Sequence, residues 1–392
     1  MDPNAGKRNL VNKLSREELQ AKLETEDFDR IILSFYKYVI IENPQELRDE
    51  LFEQWSSWGC LGRIYVSDEG INAQMNIPQQ HWNDFEKAIR LNRFFHDVPF
   101  KIAVTDKTEG KSFLKLKVKV RKQIVADGLQ PGDYDVTDVG KHLDAKSWNE
   151  AVEKEDSVVV DMRNHYESEI GHFEGAILPD TETFRDELPM VLEKLKGQED
   201  RKVLLYCTGG IRCEKTSAYL KHHGFNDVNQ LHGGIIDYAR QIDQENLPNK
   251  FHGVNFVFDA RLGEEISQEV ISDCHQCGQP SARHTNCINK ACNLLFIQCE
   301  ECQIKHEACC TPQCIEVIHA PEEEQIEIRR KAKETKKYHK HSKVNLRDAF
   351  SKELDWRASN GCTCSGFCKK RSWVALASSW VVAVNNSMKS VN

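Results

Sequence analysis

Val203-Leu204-Leu205-Tyr206-Cys207-Thr208-Gly209-Gly210-Ile211-Arg212-Cys213-Glu214-Lys215 is an apolar run that ends on a cysteine, turns through two glycines and opens a helix. The run is short and rich in Val, Leu and Tyr, as expected of a strand buried on both faces. The spacing from Glu214 through Thr216, Ala218 and Leu220 predicts a helix that stops at Gly224. Cys207 therefore sits at a strand-to-helix turn. Loop N–H groups and the positive end of the helix dipole converge there and Arg212 adds a full charge, which together favour thiolate over thiol. A thiolate is a nucleophile, so Cys207 and Arg212 are the candidate catalytic residues, with Thr208, Gly209, Gly210 and Ile211 as the loop around them. The plainer alternative is a buried cysteine acting as a small hydrophobe; the glycine pair, the arginine and the helix start argue against it.

The arginine follows the cysteine by five residues. Cysteine phosphatases place it one residue later to wrap a tetrahedral phosphate, and the shorter loop here suits a single sulfur atom. Upstream, Ser157 to Arg163 reads as a strand ending on a charged pair, followed by Glu167, Gly171-His172-Phe173 and Gly175-Ala176. Downstream, Val228 to Leu231 leads into Gly233-Gly234-Ile235. This order resembles the rhodanese family, whose loop opens with a cysteine that carries a persulfide. Asp161, Arg163 and Glu167 are expected to form a buried ion network supporting the loop, and His172 to fix a turn.

Four stretches together resemble one branch more closely: GRIYVSDEGINAQ from Gly62, DMRNHYESEIGHFEGAILP from Asp161, CTGGIRCEK from Cys207 and HQCGQPSARHTNCINKACNLLFIQCEEC from His275. They are similar to the bacterial tRNA uridine-34 hydroxylases, rhodanese-related proteins that place a hydroxyl on C5 of the wobble uridine. That resemblance implies tRNA as substrate and partner, molecular oxygen as co-substrate, 5-hydroxyuridine as product, an unidentified reductant, and a persulfide-type cysteine that maps onto Cys207. It implies no protein partner. A sulfurtransferase passing sulfane sulfur through a Cys207 persulfide is the alternative enzyme, and a zinc-stabilised scaffold the alternative without catalysis.

Length and composition bound the architecture. The 392 residues allow two or three domains, and an apolar fraction of 40% is ample for a core in each. No stretch approaches the roughly 20 apolar residues of a membrane span; Trp373 to Val384 is too short. Fifteen cysteines without a secretory leader point to the cytoplasm and to thiol chemistry or metal ligation. A net charge of −8 argues against coating nucleic acid by bulk electrostatics. Locally, Lys115, Lys117, Lys119 and Arg121 alternate with Leu116, Val118 and Val120, so a strand there turns every cation to one face that can track RNA phosphates or simply guard a sheet edge. A second basic cluster runs from Arg329 to Lys343.

The breaks divide the chain into a polar arm (1–27), a ferredoxin-like α+β domain (28–125), a rhodanese-like α/β domain with a parallel sheet (126–255), a cysteine-rich module (256–318) and a charged tail (319–392). The first domain reads β-α-β-β-α-β, with Asp68-Glu69-Gly70 as a hairpin turn and a catalytic or RNA-contact role for Asp68, Glu69 or Asn72 as the alternative. In the module Cys274, Cys277, Cys287, Cys292, Cys299, Cys302, Cys309, Cys310 and Cys314 show the paired spacing of zinc ligands. Nine cysteines exceed what two sites need, so the spacing leaves the ligand sets open, along with a metal-free or disulfide-bearing module. Cys362, Cys364 and Cys368 carry no assigned role.

Overall fold

The computed structural model describes residues 14–103, 113–130, 133–335, 346, 347 and 349. They fall into two compact units divided between Ser272 and Asp273.

The first unit opens with helix α1 (Arg16–Glu24), closed at its start by a Ser15–Glu18 capping box. Then come β1 (Arg30–Tyr38), α2 (Pro44–Ser57), β2 (Leu61–Ser67), β3 (Gly70–Pro78), α3 (Trp82–Leu91), β4 (Lys101–Ile102) and β5 (Leu116–Val120). The sheet order is β4-β1-β3-β2-β5, the ferredoxin-like arrangement with one strand more than the sequence pattern requires. The added strand β5 lies parallel to β2, while the other neighbours are antiparallel. Period-two alternation splits the sheet into two chemically different faces. Leu33, Phe35, Ile64, Val66, Ala73, Met75, Leu116 and Val118 pack with Trp55 of α2 and Phe85 of α3 in one core. The opposite face carries Ser34, Tyr36, Arg63, Tyr65, Asn72, Gln74, Lys117 and Lys119.

The second half of this unit runs β6 (Lys141–Leu143), α4 (Ala145–Val152), β7 (Ser157–Asp161), α5 (His165–Ser168), β8 (Gly171–Phe173), α6 (Phe184–Leu195), β9 (Lys202–Tyr206), α7 (Ile211–His222), β10 (Asp227–Leu231) and α8 (Gly234–Glu245). Strands β6-β10-β9-β7 form an all-parallel sheet. The inner strand β9 and its neighbour β7 are covered on both faces and read as near-continuous apolar runs, whereas β10 carries Asn229 and Gln230 and the edge strand β6 is mostly exposed. Val158, Val160, Val203 and Leu205 face α6 and α7, whereas Val159, Leu204 and Tyr206 face Trp148 of α4 and Tyr238 of α8. Strands β11 (Phe251–Asn255) and β12 (Glu264–Glu265) add to β8. Through the pairing of β12 with β11, the chain stays in this compact unit as far as Ser272.

The second unit, from Asp273, has little regular structure: the hairpin β13 (His284–Asn286) and β14 (Leu295–Ile297), then α9 (Glu300–Lys305), α10 (Pro312–His319) and α11 (Glu322–Thr335). Its small core is made largely of cysteines with Leu294, Phe296 and Leu346. Part of the basic cluster from Arg329 lies on α11. Residues 336–345, Cys362, Cys364, Cys368 and the Trp373 segment lie outside the described residues.

Candidate active site

Cys207 follows the last residue of β9, and Gly210 caps the start of α7 with φ +92°, a conformation that side chains with a Cβ rarely adopt. A Cβ at Gly210 would also lie 2.8 Å from the Tyr36 hydroxyl. The turn aims backbone donors at the sulfur, and the Gly210 N–H lies 3.1 Å from Cys207 Sγ. Burial pushes the Cys207 thiol up. The hydrogen bond from the Cys213 thiol, the Arg212 guanidinium and the N–H groups of Arg212 and Cys213 outweigh it and hold the group down to about 5, so the sulfur is a thiolate at neutral pH. The Cys213 thiol is correspondingly pushed far up by burial and by its thiolate neighbour.

The residues around the loop divide into two ion pairs rather than one network. Arg163 holds Asp161 through Nε at 2.8 Å and Nη2 at 2.6 Å, with no exposure on either side chain. Glu167 instead grips Arg212 with both oxygens, at 2.6 and 2.9 Å. That bidentate fork orients the guanidinium beside the thiolate. Thr208 adds a bond from its hydroxyl to Glu167 at 3.4 Å. Behind the loop, both carboxyl oxygens of Glu187 are buried without a partner among the described residues, and burial pushes its acid well above the usual carboxylate range. His172 spans four residues to the Ser168 carbonyl, a local turn contact.

The N-terminal sheet docks onto this loop. Lys101 Nζ donates to the Gly209 carbonyl at 2.6 Å, the Tyr38 hydroxyl to the Ile211 carbonyl at 3.3 Å and the Tyr36 hydroxyl to Glu214 at 3.0 Å. Lys215, fully buried, is neutralised by Asp127 at 2.8 Å and Glu69 at 3.0 Å. Between sheet and loop lies a cavity of about 290 Å³, close to the lower end of small-molecule sites, about 300 Å³. Cys207, Thr208 and Arg212 line one side; Tyr36, Tyr65, Asn72, Gln74 and Lys101 line the other, and Phe258 closes it near Arg212.

Three family models match in the same order as the observed folds: a UPF0176 acylphosphatase-like domain over residues 30–124, a rhodanese-like domain over 144–241 and a rhodanase C-terminal segment over 252–315. A tRNA uridine(34) hydroxylase from Leptospira interrogans is 56% identical over 338 residues, covering 86% of this chain and 92% of that protein. One from Yersinia enterocolitica is 47% identical over 316 residues, covering 81% and 90%. The chain belongs to the tRNA uridine(34) hydroxylase family.

In this member of the hydroxylase family, the structure brings some of the sequence-derived candidates together and separates others. Arg63 pairs with Lys117 and Tyr65 with Lys119 across β2 and β5, so the basic strand shares the sheet face that walls the cavity. Burial and the neighbouring Lys115, Arg63 and Lys119 charges lower the Lys117 ammonium, which marks a concentrated positive patch. Arg121 lies over the Tyr65 ring at 5.5 Å. Glu69 sits in the expected hairpin turn, but its carboxylate is spent on Lys215 and on the Ile124 N–H, in docking rather than at the cavity.

In the second unit the nine cysteines resolve into two groups of four, Cys274, Cys277, Cys299 and Cys302, and Cys287, Cys292, Cys310 and Cys314, with the ligand atoms of each within 4.8 Å of one another. Cys309 stands outside both; its carbonyl accepts from Gln276 at 3.0 Å. Sulfur separations of 3.6 and 3.7 Å match the edge of a tetrahedron built on metal–sulfur bonds of about 2.3 Å. The donor sets therefore fit a tetrahedral thiophilic ion. Sequence reasoning missed Lys101, Tyr36 and Tyr38. A lysine alone between Phe100 and Ile102, and tyrosines at period two beside the core residue Phe35, were the signals available.

Proposed function

We propose that this chain is a tRNA uridine(34) hydroxylase that takes the wobble uridine into the cavity between the Cys207 loop and the N-terminal sheet. The observation that carries the proposal is the meeting of a preformed thiolate with a wall of aromatic and amide side chains in a space sized for one nucleotide. Tyr36, Tyr65 and Phe258 offer faces for a base to stack on, and Asn72 and Gln74 offer donors and acceptors for its edge. An anticodon-loop base is already poorly stacked, so drawing it out costs little. Lys115, Lys117, Lys119, Arg121 and Arg63 lead phosphates toward the opening, positioning the RNA without reading it.

Cys207 is the reacting centre in this reading, as thiolate or persulfide, and Arg212 stabilises that anion, with Glu167 fixing the guanidinium. Molecular oxygen is the co-substrate and a cellular reductant supplies electrons. The two four-cysteine groups hold structural zinc, because each supplies a complete ligand shell and leaves no open position. No helix among the described residues is long and apolar enough to cross a membrane, and the enzyme works in the cytoplasm on tRNA.

A nucleoside profile of tRNA from cells with and without the protein, and with Cys207→Ser, tests this. 5-Hydroxyuridine should be present only with the wild type. Accurate mass is essential, because adding an oxygen and exchanging oxygen for sulfur change the nominal mass equally. A thiolated uridine instead would establish the sulfurtransferase, and an active Cys207→Ser would remove the thiol from the mechanism.

A further inference from the structure

The cations around the Cys207 loop are not equivalent. Arg212 has its charge met by both oxygens of Glu167, and Lys215 by Asp127 and Glu69. Lys101 makes no ion pair with any carboxylate of the described residues. It is 5% exposed, its ammonium donates to the Gly209 carbonyl at 2.6 Å, and it lies 3.9 Å from the centroid of the Tyr36 ring. It lines the same cavity as Cys207.

Holding a lone cation out of water is costly unless something negative meets it. The charged groups that face it are the Cys207 thiolate, Glu214 of α7, Asp237 and Arg240 of α8, and His232 before α8. Burial pulls the ammonium down to about 8, against the thiolate, Glu214 and Asp237. A docking role alone is already filled by Tyr36, Tyr38 and Lys215, and by Arg240, which donates to the Ile102 carbonyl.

We propose that Lys101 is a catalytic residue: its ammonium donates a hydrogen bond to O4 of the bound uracil, on which negative charge develops as the Cys207 thiolate adds to C6 ahead of oxygenation at C5. Addition of the thiolate forms the S–C6 bond and moves the C5–C6 electron pair onto C5 and, by conjugation, onto O4. This enolate forms the C5–O bond with molecular oxygen, and two electrons from the cellular reductant, with protons, cleave the O–O bond and release water. Loss of the C5 proton with expulsion of the thiolate from C6 restores the ring as 5-hydroxyuracil. A preorganised cation in a water-poor cavity stabilises the charge on O4 without reorganising. The N-terminal domain then does more than hold RNA, since the active site is complete only where its β4 meets the central domain. This inference rests on the hydroxylase reading above.

The test uses the full chain with tRNA. Lys101→Met should lower kcat by about 100-fold, the usual loss for one such donor, while KM for tRNA stays within about threefold. Wild-type kcat should fall as pH rises through about 8, where Lys101 loses its proton. Lys101→Arg should keep part of the activity and lose that alkaline fall, because guanidinium stays charged. Full kcat in Lys101→Met, a loss confined to KM, or an unchanged alkaline fall in Lys101→Arg would each overturn the proposal. If Lys101→Met melts far below the wild type, the pH profile of Lys101→Arg decides alone. A wild-type chain that makes no 5-hydroxyuridine sinks the hydroxylase reading and this one together; an active wild type with an equally active Lys101→Met sinks only the role of Lys101.

Discussion

At Cys207 burial and charge pull in opposite directions. A thiol with no exposed surface would ordinarily stay protonated, yet here the Cys213 thiol, Arg212 and two backbone donors hold the sulfur as an anion. The Cys213 contribution can be isolated, since its side chain touches Cys207 from the first turn of α7. Hydrogen bonds to a charged group are worth about 1.5–3 kcal/mol, or roughly one to two pH units. Cys213→Ala should therefore move the pH midpoint of Cys207 alkylation by iodoacetamide upward from about 5 by that amount. Cys213→Ser, which keeps a donor, should move it less. The direction follows from the sign of the shift: the folded loop depresses the thiol, so each lost donor makes the thiolate form at higher pH. An unmoved midpoint in Cys213→Ala would mean that Arg212 and the backbone suffice.

The elements carry two further expectations. On β5 the cations share a face with Arg63 and the cavity wall, and β5 is also a sheet edge, where lysines guard against aggregation. Replacing Lys117 and Lys119 with Gln separates the two roles. Phosphate contact predicts that tRNA binding weakens alike for all sequences, and that the salt dependence flattens by roughly 0.7–0.9 units of slope per lost contact. Parallel salt series for the wild type and the double variant would assign the lysines to edge protection alone. In the second unit the small core is built largely from cysteines, so under the zinc proposal its folding depends on the bound ions. Removing Cys299 and Cys302 should lower bound zinc and soluble yield together, because structural metal binding is folding energy. Metal analysis of purified protein settles the point; a metal-free chain indifferent to strong chelators would end the zinc assignment.

Across the whole first unit, function depends on how the N-terminal domain is seated on the central one. Lys215 links them: it leaves the loop-bearing helix α7 and is neutralised by Glu69 from the β2–β3 turn and by Asp127 beyond β5. Glu69→Gln keeps the size and a hydrogen-bonding oxygen but removes one of the two charges that balance the buried ammonium. A loss of about 1–3 kcal/mol in stability is expected, read as a lower melting temperature, with hydroxylation falling further than tRNA binding because the cavity wall shifts against the loop. A variant that melts and turns over like the wild type would show that Asp127 alone secures the interface.

The strand-to-helix turn at Cys207 was legible in the sequence because it is local: strand, cysteine, two glycines and helix follow one another within a single stretch, and period and composition dictate each. The parallel sheet, the β-α-β-β-α-β order of the first domain and the paired cysteines were legible for the same reason. What could not be read were contacts between residues distant along the chain. Glu167 to Arg212, Lys101 to Gly209 and Tyr36 to Glu214 span 45, 108 and 178 positions, and no local pattern encodes such a meeting. The ligand sets likewise had to wait for folding, since nine cysteines at similar spacing admit many groupings and only the hairpin and its helices decide which four converge. The sequence by itself determined where the Cys207 turn and the paired cysteines lie; the tertiary structure decided which charges surround them, because electrostatic neighbours are set by distance in space and not by distance along the chain.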